Sequence, residues 1–161
     1  MKLREAHEGD LEFLQRLTQT PGWLANIGPR GTESLDGARA YLERSFLTPY
    51  RTHGCGLWVI EVDGVAVGLS GIVVRSGTEF PDLGYALLPE FEGRGIATIA
   101  GERVLEWASE SGRWTHLDAY TMPHNEASNN VLRRLGFQDL GIVYLEAFDG
   151  EASQHWRKGV R

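Results

Sequence analysis

Residues 57–74 read LWVIEVDGVAVGLSGIVV, two apolar, β-branched runs on either side of Asp63-Gly64. That dipeptide tolerates positive φ at both central turn positions, the geometry of a type I′ turn, so the runs are predicted to be adjacent antiparallel strands. A loop through Pro81 leads to a third strand, LGYALL at 83–88. THLDAYTM at 115–122 reads as a further strand, and GIVYLEAFDGEASQHWRKG at 141–159 as a second hairpin turning at Asp149-Gly150.

Outside these runs the apolar spacing changes to that of helices. Leu11, Leu14 and Leu17 recur every three residues, with Asp10 placed to cap them, and a loop containing Pro21-Gly22 and Gly28-Pro29 follows. In SLDGARAYLERSFL, Ser34 precedes an apolar face of Leu35, Ala38, Leu42 and Phe46. Ile96, Ile99, Ala100, Val104, Trp107 and Ala108 mark a third helix that Gly112 ends. NEASNNVLRRLGF is a fourth, capped by Asn125 and closed by Gly136. With 161 residues and neither repeat nor linker, the order predicts a single domain spanning 1–161. Its fold class is α+β, a mixed, mostly antiparallel central sheet flanked by helices.

Composition narrows the partners. A formal net charge of −6 disfavours duplex nucleic acid, which needs a basic surface. The lone Cys55 forms no internal disulfide and reads as a small core residue. His7, His53, His116, His124 and His155 lack metal-ligand spacing, so no metal is expected. The charged start MKLREAHEGDLEFL is unlike a signal peptide, and no run reaches the ~18 apolar residues of a membrane span. A cytoplasmic location is the expectation, as monomer or homodimer.

The chemistry gathers at PEFEGRGIATIAGERVLEWA, residues 89–108. A strand ending near Leu88, a glycine turn and a helix starting near Gly95 leave first-turn N–H groups free for an anion. Glycines let the backbone approach a diphosphate, and Arg94 can add a charge-assisted bond. No Lys-[Ser/Thr] pair follows Gly95, which excludes a P-loop. The third glycine of a dinucleotide fingerprint is missing, and no βαβ unit is read around the turn.

The spacing from LGYALLPEFEGRGIATIAGERVLEWA to NEASNNVLRRLGF resembles the GNAT superfamily of acetyl-CoA-dependent N-acetyltransferases, and within it the RimJ/RimL-like branch. LREAHEGDLEFL and the central hairpin extend the resemblance over most of the chain. It implies a GNAT-type fold whose strands splay apart at the cofactor site, with acetyl-CoA as co-substrate. Gly93, Arg94, Gly95, Ile96, Ala97 and Thr98 would then wrap the pyrophosphate, although Glu92 stands where the family has Gln or Arg. Tyr85, Ala86, Leu87 and Leu88 would line the pantetheine chain, with the Leu87 N–H polarising the thioester carbonyl. Asn125 and Ser128 match cofactor-contacting positions of the second motif, Ser128 lying near the sulfur.

The resemblance also exposes a departure. Many members carry a tyrosine seven residues after that asparagine to protonate the leaving thiolate, and this chain has Leu132. Ser128 or a water is left to do so, or the thiolate leaves unaided. Asp82 and, across a one-residue gap, Glu146 are the candidate bases for the acceptor amine. Asp118 and Tyr120, two apart on one strand, would line the acceptor pocket. The acceptor is expected to be a peptide N-terminus or a small-molecule amine. The alternative is a non-catalytic acyl-CoA-binding module of the same fold, which Leu132 favours.

Overall fold

The computed structural model of the protein describes every residue from Met1 to Arg161. Its seven strands are β1 (Lys2–Arg4), β2 (Leu57–Val62), β3 (Val65–Val73), β4 (Asp82–Leu87), β5 (His116–Thr121), β6 (Gln138–Tyr144) and β7 (Ala152–Gly159). They form one sheet in the order β1-β2-β3-β4-β5-β7-β6. The central hairpin closes as predicted, with Asp63 at φ 51° and Gly64 at φ 78°. The C-terminal hairpin pairs β6 with β7 through a connection in which Asp149 and Gly150 are both left-handed.

Six α-helices cover the sheet: α1 (Leu11–Thr18), α2 (Pro21–Asn26), α3 (Leu35–Leu42), α4 (Thr48–His53), α5 (Ile96–Ser111) and α6 (Glu126–Leu135). A π-helical stretch, Glu43–Leu47, joins α3 to α4. On one face, Leu14, Leu17, Ala38 and Phe46 pack against Val59 and Leu69. On the other, Val104, Leu132 and Leu135 pack against Leu83, Leu117 and Trp156. Leu14, Leu17 and Phe46 are fully buried, each stabilising the fold by ~1.5–3 kcal/mol.

Three local expectations change. Pro21-Gly22 opens a helix rather than a loop, because Thr20 caps it and proline suits the first turn. Asp10 does not cap α1; Arg4 holds its carboxylate at 2.8 and 2.9 Å, and His7 caps the preceding 3-10 turn. A βαβ unit does surround the glycine turn, since β4 and β5, joined by α5, are parallel neighbours. Their pairing joins residues far apart in the chain, so no local pattern announces it.

Gly71 on β3 has a packing role. A Cβ there would stand 2.0 Å from the Gly56 carbonyl oxygen and 2.7 Å from Leu57 Cα, both backbone atoms. Gly71→Ala must therefore force β2 from β3, and is expected to lower stability by ~1–3 kcal/mol in urea denaturation.

Candidate active site

β4 and β5 separate almost as soon as they meet. Their parallel register holds one pair, Asp82 with Asp118, and the Asp118 amide donates to the Pro81 carbonyl at 3.0 Å. Because backbone groups alternate along a strand, those of Leu83, Tyr85 and Leu87 face β5, and those of Gly84 and Ala86 face β3. The Leu88 amide is taken by the Val67 carbonyl at 2.9 Å. Of the four residues expected to offer backbone to a ligand, Tyr85 and Leu87 thus turn peptide groups into the gap. Tyr85, Ala86 and Leu87 are only half-buried although they lie mid-sheet, as an open cleft requires.

The glycine turn sits at the mouth of this cleft. Gly93 and Gly95 adopt φ 74° and 76°, a conformation that other residues enter only with strain. Cβ atoms built on either would meet nothing within 4 Å, so the backbone faces open space. Gly95 caps α5 without a side-chain bond, and no acidic residue occupies the helix's first turn. The amides of Ile96, Ala97 and Thr98 are first-turn donors lacking an intrahelical acceptor. Arg94 lies over the Phe91 ring at 5.3 Å, leaving Glu92 exposed beside it. Glycine-lined space and a helix N-terminus sixteen residues deep suit a diphosphate.

Opposite β4, the start of α6 brings in the second motif. The Asn125 side chain accepts from the Ser128 amide at 3.3 Å, so it caps the helix as predicted. Ser128 Oγ lies 2.6 Å from the Tyr85 hydroxyl, which also donates to the Ser128 carbonyl at 3.0 Å. A tyrosine on one wall therefore reaches the serine on the other, a link the sequence did not disclose. Burial pushes the Tyr85 hydroxyl up to about 12, against the pull of Ser128, so it keeps its proton at neutral pH. Leu132 is fully buried in the core, where it contributes packing only. Asn129, also buried, bonds Thr121 and Pro123 and fixes the turn from β5 into α6.

Asp82, Asp118 and Tyr120 do come together, on the face opposite α6. Asp82 is 3% exposed and takes Arg75 at 2.8 and 3.3 Å, so both its oxygens are engaged. Burial raises its pKa despite that cation. Asp118 is 1% exposed and takes Arg157 at 2.6 and 3.0 Å and His155 at 2.9 Å. Burial alone would raise its pKa, but the Arg157 and His155 hydrogen bonds outweigh that and hold it below the usual range. Tyr120 stacks on His155 at 4.9 Å and 13° and packs against Phe148 at 5.4 Å. Phe148 ends the 3-10 turn that Glu146 begins, and Glu146 itself is exposed. His155 carried only a negative reading in the sequence; its register opposite Tyr120 on β7 is what brings it here.

No group of three His, Cys, Asp or Glu side chains is placed to hold a metal. No helix is long and apolar enough to cross a membrane. An open groove of about 580 Å³ lies between β1 and α5 and shares no residue with the cleft or the glycine turn.

Solved structures with this architecture are numerous. Microcin C7 self-immunity acetyltransferase MccE, in complex with acetyl-CoA and AMP, superposes with TM-score 0.83 at 18% identity, over 98% of this chain and 91% of that one. RimL, a ribosomal L7/L12 alpha-N-protein acetyltransferase in complex with coenzyme A, gives 0.83 at 20%, over 98% and 92%. Aminoglycoside acetyltransferase AAC(6′)-Ib, in complex with coenzyme A, gives 0.80 at 16%, over 98% and 94%. At these identities the likeness establishes the fold. The sequence itself matches the acetyltransferase (GNAT) domain family over residues 1–138, from β1 through the glycine turn and α6 to the start of β6. The cleft and the turn are thus seen in the setting that this match defines, and the chain belongs to the GNAT acetyltransferase family.

Proposed function

We propose that this acetyltransferase passes the acetyl group of its co-substrate, acetyl-CoA, directly to a primary amine, on a peptide N-terminus or a small molecule. The observation that carries the reading is the opening of β4 from β5 immediately beside the glycine turn. Amides of Gly93 to Thr98, with Arg94, would bind the pyrophosphate. Tyr85 and Leu87 would hold the pantetheine chain along the open edge of β4, with Asn125 and Ser128 on the far wall. The Leu87 N–H would stabilise the negative charge that develops on the thioester oxygen when the amine attacks. Thiol acidity, with a cysteine model near pKa ~8.5, makes the leaving thiolate a tolerable one without a dedicated acid. Ser128, tied to Tyr85, would be its nearest hydroxyl.

Support for an amine on either scale of molecule comes from the neighbours, which include a protein α-N-acetyltransferase and an aminoglycoside acetyltransferase. Asp118, Tyr120, His155 and Phe148 would form the acceptor's wall. The test combines calorimetry with a thiol-release assay on peptides with free N-termini, polyamines and aminoglycosides. Wild-type protein is expected to bind acetyl-CoA and release thiol with at least one amine, and Gly95→Trp, which fills the open turn, to lose binding. Equal binding by both proteins would rule out the cradle. Binding without any thiol release above background would favour the non-catalytic acyl-CoA-binding module.

A further inference from the structure

Resting on that reading, we propose that His155 is the base that removes the proton from the acceptor ammonium, with Asp118 as the residue that orients its ring. A primary ammonium has no lone pair, so some group must take a proton before the nitrogen can attack. The two carboxylates suggested by the sequence are poorly suited. Both oxygens of Asp82 are engaged by Arg75, and Glu146 is exposed on a 3-10 turn with no partner to orient it.

His155 is placed and oriented. Asp82–Asp118 is the last pair before β4 and β5 diverge, and Tyr120, two residues on, lies on the opening side. His155 is the register partner of Tyr120 on β7, so its side chain emerges on the same sheet face as Tyr120, with β5 between it and β4. Its Nε2 is 2.9 Å from Asp118 Oδ2. An ionised carboxylate only accepts, so Nε2 carries a hydrogen, and in the neutral ring Nδ1 is the nitrogen with the free lone pair. Stacking on Tyr120 fixes the ring plane, and 15% side-chain exposure leaves the imidazole reachable but shielded. The groups that face it are Asp118 and Tyr120 from β5, Arg157 from β7, and Asp82 and Arg75 around the Tyr120 ring. Arg157 is paired with Asp118, and Arg75 with Asp82.

In the step, Nδ1 takes one proton from the ammonium and the freed nitrogen pair attacks the thioester carbonyl carbon. The C–N bond forms, the C–S bond breaks, and the second nitrogen proton leaves with the thiolate as thiol. The imidazolium then returns its proton to water.

The test is steady-state kinetics of His155→Gln and His155→Ala with saturating acetyl-CoA and the best amine. His155→Gln is expected to lose ~10²-fold in kcat/KM for the amine, with unchanged calorimetric affinity for acetyl-CoA. The acidic limb of the pH profile should disappear in the variant, and added imidazole should restore part of the activity of His155→Ala. A loss under about threefold with the acidic limb intact would overturn the proposal. A structural role alone would move neither the limb nor the rescue. A second readout needs no turnover: nitrogen NMR of the wild-type imidazole is expected to show a neutral ring, protonated at Nε2, at pH ~8. An imidazolium persisting there, or a hydrogen on Nδ1, would overturn the proposal even if the variants failed to fold. If no amine is acetylated by the wild type, the amine reading fails, while the ring's protonation state is still decided by NMR.

Discussion

Replacing Leu87 by its α-hydroxy acid turns the Ala86–Leu87 amide into an ester, and kcat is expected to fall by ~10²–10³-fold, the usual cost of losing one oxyanion donor. The expectation rests on strand parity. The Leu88 amide is bonded to Val67, so the amide one residue earlier points the other way, into the gap that the single Asp82–Asp118 pair leaves open. No ladder bond to β3 is lost in the exchange, and the Leu87 side chain still packs beside Ile60, Val67 and Ala100. Stability and acetyl-CoA affinity should therefore change little while turnover collapses. A variant that retains more than a third of wild-type kcat would show that this amide does not meet the developing charge.

The second large effect is on stability. Arg157→Met removes the guanidinium that Asp118 takes in a bidentate grip at 2.6 and 3.0 Å, leaving a carboxylate only 1% exposed with His155 at 2.9 Å and the more distant Tyr120 hydroxyl at 3.5 Å as its remaining partners. Breaking a buried pair from one side costs ~3–5 kcal/mol, and urea denaturation at neutral pH should show a loss of that order. The sign of the pH dependence follows from the depressed pKa of Asp118. Its contribution is complete above the unfolded carboxylate range, near pH ~4, and is lost as the pH falls through the lower folded value. The gap between wild type and variant should therefore close in acid. Asp82 works in the opposite sense: its folded pKa is raised, so its contribution is present in acid and lost as the pH rises through that value. A gap of the same size at pH ~3 and pH ~7 would show that Arg157 stabilises the fold by packing rather than by charge.

Local features proved legible wherever a few consecutive residues fix the backbone. Asp63-Gly64, Gly95, Gly112 and Gly136 all have positive φ, and Asn125 and Ser34 both cap their helices. Pro21-Gly22 misled because proline opens a helix as readily as it opens a turn, and only the Thr20 cap distinguishes them. The site was legible in halves. Gly93 to Thr98 and Asn125 could be marked by motif, whereas the Tyr85–Ser128 and Asp118–His155 contacts span 43 and 37 residues. Asp82 was a candidate base by its place just ahead of the third strand, and its engagement by Arg75 depends on how the loop at 74–81 folds back.

By itself the sequence determined where the turns, caps and strands fall, and that a glycine-lined helix start follows a strand. Those outcomes depend on torsional preferences and hydrogen bonds within a few residues. Only the tertiary structure decided that β4 and β5 run parallel and part after one pair, which peptide groups face the gap, and that His155 stacks on Tyr120 and reaches Asp118. Strand pairing and burial set those features, and their energies are defined only once distant segments have met.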